Sequence, residues 1–203
     1  MVNEFKIRKA QEKMKKLYDN KTIFFSDFGS NCLLKFPSNT IIDEIVTDDK
    51  IIKQVKTLLN TEEMLLVQAD AWAIKKDNNI LENIDQRMHM DYGNNSFLHP
   101  SHWDTPECVS MIIYLSNVKI TGGGTAFVPK SGDNDKCYQF RYKNLPGISK
   151  YPFINNKTLA QNYFKLNDSV VFNFRKELDK GEIILDPDCG DILFPFYILD
   201  TWH

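Results

Sequence analysis

The stretch HMDYGNNSFLHPSHWD (residues 89–104) holds two histidine–acid pairs, His89 with Asp91 and His102 with Asp104. On an extended strand, residues i and i+2 point to the same face, so an imidazole and a carboxylate at that spacing can grip one metal ion from one side. A second histidine from a distant strand would complete a facial set of two nitrogens and one carboxylate. That set suits non-haem Fe(II) and leaves positions open for a cosubstrate and oxygen. The chain has four histidines, His89, His99, His102 and His203. His99 shares a loop with both pairs, which makes His203 the distant partner. The segment CGDILFPFYILDTWH reads as a Gly-Asp turn, an apolar strand and a histidine at its far end.

Of the two pairs, His89 and Asp91 suit an inner strand better. His102 and Asp104 stand between Pro100 and Pro106, and proline disfavours regular inner strands. They also lie just ahead of Val109, with little chain left to turn into the next strand, and read as lid or substrate-loop residues. Against any metal site stands a plainer reading. A His-x-Asp pair arises by chance in many chains and is usually surface polarity, so spacing alone does not establish a ligand set.

The elements that would position these residues follow from periodicity. Residues 4–18 read as a helix with Ala10, Met14 and Leu17 on one face and lysines on the other. A second helical region follows Pro37-Ser38, and Ile51, Ile52, Val55, Leu58 and Leu59 repeat at helical spacing behind an Asp48-Asp49 cap. Strands are expected over Met64–Ile74, Val109–Ser116, Thr125–Pro129, Ser169–Phe174, Glu182–Leu185 and Asp191–Ile198, each bounded by turn residues. Val109–Ser116 is apolar on both faces, as an inner strand would be. Helices first and short strands afterwards indicate a β-sandwich or barrel with helices packed outside it. A single domain over residues 1–203 is expected, with 1–60 as helical support.

Composition excludes several classes. With 203 residues, 42% hydrophobic, and a net charge of −2, the chain can bury a core but has no electrostatic case for nucleic acid or membrane surfaces. The basic stretch Lys6–Lys16 reads as the solvated face of a helix. Cys32, Cys108, Cys137 and Cys189 show no Cys-x-x-Cys spacing, so neither a zinc knuckle nor a redox motif is expected, and Cys108 and Cys137 lack a neighbouring base. Residues 1–20 carry no apolar signal core, and no run approaches the roughly 20 apolar residues of a membrane span. A reduced, cytoplasmic setting is the expectation, which makes the Asn-x-Ser/Thr triplets at Asn20, Asn94, Asn156 and Asn167 accidental. GTAFVPKS (124–131) imitates a phosphate-binding loop. Pro129 stands where its second glycine belongs and has no N–H to offer a phosphate, so Gly122–Gly124 reads as a turn between strands. DPDCGD (186–191) lacks the order of a calcium loop and reads as a turn.

Three ordered segments are more specific than either pair. DQRMHMDYGNNSFLHP, VSMIIYLSNVKITGGGTAFVPKSG and GDILFPFYILDTWH, with LLNTEEMLLVQADAWAIK upstream, resemble the phytanoyl-CoA dioxygenase family of Fe(II)/2-oxoglutarate-dependent oxygenases over roughly residues 40–203. The resemblance implies a mostly β fold, the double-stranded β-helix or cupin-type jelly roll, over 61–203, with the N-terminal helices flanking it. It implies Fe(II) and 2-oxoglutarate as cofactors, and a small organic substrate hydroxylated with dioxygen. His89 and Asp91 match the family's proximal ligands and His203 its distal one. Tyr92, Tyr114 and Thr125 are then candidates for the cosubstrate pocket; for the two tyrosines, packing in a wet-edged core is an equal alternative. Substrate contacts are expected from loops at 93–107 and 130–162.

The sequence departs from that family after His203. The family follows its distal histidine with another strand, whose arginine forks onto the far carboxylate of 2-oxoglutarate. Arg8, Arg87, Arg141 and Arg175 do not match that position. The expectation is a fragment of a longer oxygenase lacking its last strand. The alternatives are replacement by another basic residue, or a non-catalytic cupin-like metal- or ligand-binding protein. A metal-dependent hydrolase or isomerase on the same barrel would call for a histidine-richer set. The 203-residue chain is expected to bind 2-oxoglutarate poorly; titration calorimetry with Mn(II) present that showed tight binding would overturn this.

Overall fold

α1 (Glu4–Asp19) forms where apolar residues recur at three- and four-residue spacing between charged ones. Asn3 caps it, its side chain accepting a hydrogen bond from the Phe5 N–H at 2.9 Å. Ile7, Ala10 and Met14 are its buried stripe, and Leu17 packs half-buried at the end of it. The computed structural model in which these contacts are seen describes residues 2–24, 33–73, 108–122, 124–129, 157–194 and 198–202. The described residues fall into two compact units, each assembled from separate stretches of chain.

The first unit draws on 2–24, 33–73, 108–121 and 187–194. After α1 come β1 (Leu34–Lys35), α2 (Ile41–Val46) and α3 (Asp49–Leu59). Thr40 caps α2 by accepting from the Ile42 N–H. Asp43 reaches back to receive the N–H of Ser38 at 2.8 Å, the N–H of Asn39 at 2.7 Å and the hydroxyl of Ser38 at 2.6 Å. The Asp43 carboxylate thus gathers the backbone donors of the turn that leads into α2 and fixes the angle at which the chain enters it. Asp48 caps α3 through the Lys50 N–H and also takes the Lys6 ammonium at 2.7 Å, which ties α3 to α1. Asn60 closes α3 in the left-handed conformation at φ 50°, a place asparagine tolerates.

Two short antiparallel pairs complete this unit. β1 pairs with β2 (Asp70–Ala71), Leu34 opposite Ala71. β3 (Ile112–Ile113) pairs with β6 (Ile192–Leu193), Ile112 opposite Leu193. α4 (Val118–Thr121) follows β3. The core joins Ile7, Ala10 and Met14 of α1 to Ile42 and Ile45 of α2 and Ile51 of α3. Met111, Ile113, Leu115 and Ile192 pack partly buried against them.

The second unit draws on 122, 124–129, 157–186 and 198–202. Its three-stranded antiparallel sheet runs β5 (Ile183–Ile184), β4 (Thr125–Pro129), β7 (Ile198–Trp202), with β4 in the middle. Thr125, Ala126 and Val128 are buried, so both faces of the central strand are covered. Pro129 has no N–H for the ladder and stands at the strand's last position. α5 (Lys157–Asn167) and α6 (Ser169–Lys180) pack on one another through Phe164, with Tyr163 and Phe172 against it.

Several expected strands take another form. Ser169–Phe174 is the start of α6: the β-forming valines and phenylalanines are overruled by the helix formers of RKELDK that continue the segment. Lys157–Asn167 is likewise helical, so the loop expected to reach residue 162 gives way to α5. Within Met64–Ile74 only Asp70–Ala71 pairs, and Val67 is 87% exposed; Ile74 lies outside the described residues. Val109–Ser116 is paired as a strand only at Ile112–Ile113. The single strand expected over Asp191–Ile198 divides: Ile192–Leu193 joins β3, and Ile198 begins β7 beside β4. Gly122 leads from a helix, α4, into β4. Thr125–Pro129 and the helices at 4–19 and 49–59 stand where the sequence puts them.

Ile45 is 2% exposed. Ile45→Ala should therefore lower unfolding stability by about 2–5 kcal/mol, read as a lower urea midpoint with an unchanged slope. A second expectation concerns acid. Burial would raise the Asp43 carboxyl, but hydrogen bonds from Ser38, Asn39 and Thr40 hold it below the ordinary 3.8. The Lys6 ammonium and the Lys50 N–H likewise hold Asp48 down. A depressed carboxyl contributes stability above its unfolded value and loses it as pH falls through the folded one. Asp43→Asn should be less stable than wild type at neutral pH, and urea melts should converge below about pH 4; a gap that stayed constant into acid would contradict this.

Candidate functional site

Thr125, one of the candidate pocket residues, lies on β4 and has no exposed surface; its backbone carbonyl accepts the Leu185 N–H at 3.0 Å. β4 meets β7 in antiparallel register with Thr125 opposite Trp202. Trp202 is the residue before His203, so the chain reaches the proposed distal ligand directly from a strand whose partner carries Thr125. His89, Asp91, Tyr92 and His203 themselves lie outside the described residues, as do His99, His102 and Asp104. Among the described residues no three or more His, Cys, Asp or Glu side chains gather as a metal-binding group.

Tyr114 belongs to the first unit and is 7% exposed. Its N–H donates to the Asp191 carbonyl at 3.0 Å, and its carbonyl accepts the Gly190 N–H at 2.8 Å, so it extends the β3–β6 ladder. The next residue is held from α1. Gln11 donates through Nε2 to the Leu115 carbonyl at 2.5 Å, and the Cys189 thiol donates to the same oxygen at 3.3 Å. Nothing in the sequence marks Gln11 for this, since its partner lies 104 positions away and a lone glutamine in a helix carries no motif.

The segment 186–191 is a turn, as its composition suggests. The Asp191 N–H bonds to the Asp188 carbonyl at 3.1 Å, and the Asp188 N–H bonds back to the Asp191 carboxylate at 2.9 Å. Gly190 sits at φ 91°, where a side chain would be strained. The Asn117 side-chain amide donates to the Asp188 carboxylate at 2.7 Å and so fastens this turn to the start of α4. Of the segment 124–131, Thr125–Pro129 is paired strand, its backbone engaged with β5 and β7; Lys130 and Ser131 lie outside the described residues.

Two of the cysteines, Cys108 and Cys189, lie among the described residues. Cys108 is exposed and Cys189 half-buried, and neither is in a disulfide. Burial, with the charges of Glu4 and Asp191, pushes the Cys189 thiol above its ordinary 9.0, which leaves little thiolate at neutral pH. Among the described residues no helix is long and apolar enough to cross a membrane. The chain matches no family model, no curated protein and no solved structure.

The thiol environment gives a direct expectation. In a timed iodoacetamide reaction at pH 7, peptide mapping should find the exposed Cys108 alkylated before Cys189, whose raised thiol leaves it slower at neutral pH and faster as the solution is made more alkaline. Equal rates at neutral pH would contradict the inert setting described for Cys189.

Proposed function

We propose that this chain is an Fe(II)/2-oxoglutarate-dependent dioxygenase of the phytanoyl-CoA dioxygenase type, acting on a small organic substrate in the cytoplasm. The observation that carries this reading is the order of the three family-like segments, which supplies a His-x-Asp pair in mid-chain and a histidine after the last strand. β7 adds support, because it runs as paired strand up to Trp202, the position a ligand following a strand needs. A jelly roll for the β-rich part belongs to the same proposal.

The donor chemistry fits the metal. Two neutral imidazoles and one carboxylate, from His89, His203 and Asp91, give a mixed nitrogen and oxygen set of moderate charge that leaves half of an octahedral shell free. Held there, Fe(II) would activate dioxygen, the oxidant, with 2-oxoglutarate as the co-reductant that leaves as succinate and carbon dioxide while the substrate is hydroxylated. The chain's own part is to hold and orient. Thr125 is the described candidate for the cosubstrate pocket, held on the central strand of its sheet between β5 and β7. Tyr92 is the neighbouring candidate in sequence.

The test separates metal binding from turnover. Mn(II) titration followed by calorimetry should show one site in the wild-type chain. His89→Ala, which removes a ligand outright, should weaken it by more than the roughly 10–100-fold typical of losing an outer-sphere partner. Fe(II)- and ascorbate-dependent succinate formation from 2-oxoglutarate should disappear in the same variant. Undiminished Mn(II) affinity or continued succinate release in His89→Ala would sink the ligand assignment.

A further inference from the structure

We draw no further inference here: the strongest candidate, the surface patch of Leu65, Leu66 and Val67 on the extended chain after α3, stands with its apolar side chains exposed, and nothing in the structure shows what covers it.

Discussion

Ala10 faces the core of the first unit with no surface left to solvent, flanked along its helix by Ile7 and Met14. A methyl group at that position lets α1 approach its neighbours closely, and interiors packed to crystal-like density leave little room for anything larger. From this seat α1 and its flanking residues reach four distant parts of the chain. Val2 bonds to Gly190, Lys6 to Asp48, Gln11 to Leu115, and the Tyr18 hydroxyl accepts the Ala73 N–H at 2.6 Å. Each of these polar contacts is modest alone. The burial of the apolar stripe holds the helix where all four can form.

The second unit rests on a different constraint, the double-sided burial of β4. Its neighbours on the ladder are fixed residue by residue, Ala126 facing Ile184 on one side and Thr201 on the other. A slip of one position would turn Ala126 and Val128 to the face where Thr125 and Phe127 now lie, and both sets are at least half-buried. The slip would ask Phe127 to fill a seat now taken by Ala126, which has no surface left to solvent, so packing opposes it, and the pairing of β4 with β7 is continuous up to Trp202.

The helices of the first unit were legible from apolar periodicity and, for α3, from the Asp48 cap; the caps that Asn3 and Thr40 supply to α1 and α2 emerged from the structure. Strands were harder. VSMIIYLS is apolar on both faces, as an inner strand would be, yet pairs at two residues only, because its ladder continues into the Asp188–Asp191 turn rather than along a long partner. SVVFNF has the same local texture and is helical, since the adjoining RKELDK favours helix. Short apolar runs do not separate these outcomes. For the site, the sequence offers types and spacing, the two His-x-Asp pairs and the late histidine, while whether such residues converge is a matter of tertiary placement that no spacing encodes. The Gln11–Leu115–Cys189 node was invisible for the same reason: its members share no local pattern.

The Val2–Gly190 bond also has a meaning for biosynthesis. The residues ahead of α1 find a backbone partner far downstream, Val2 at Gly190, and β3 must wait for β6 to acquire its pair. On a ribosome adding roughly 5–20 residues per second, α1 would be out of the exit tunnel for about 10–30 s before that partner is made. During that interval its stripe of Ile7, Ala10 and Met14 can meet α2 and α3 but not Ile192. The nascent protein thus passes through a stage in which an apolar helix face is only partly sheltered, the kind of surface that chaperones bind.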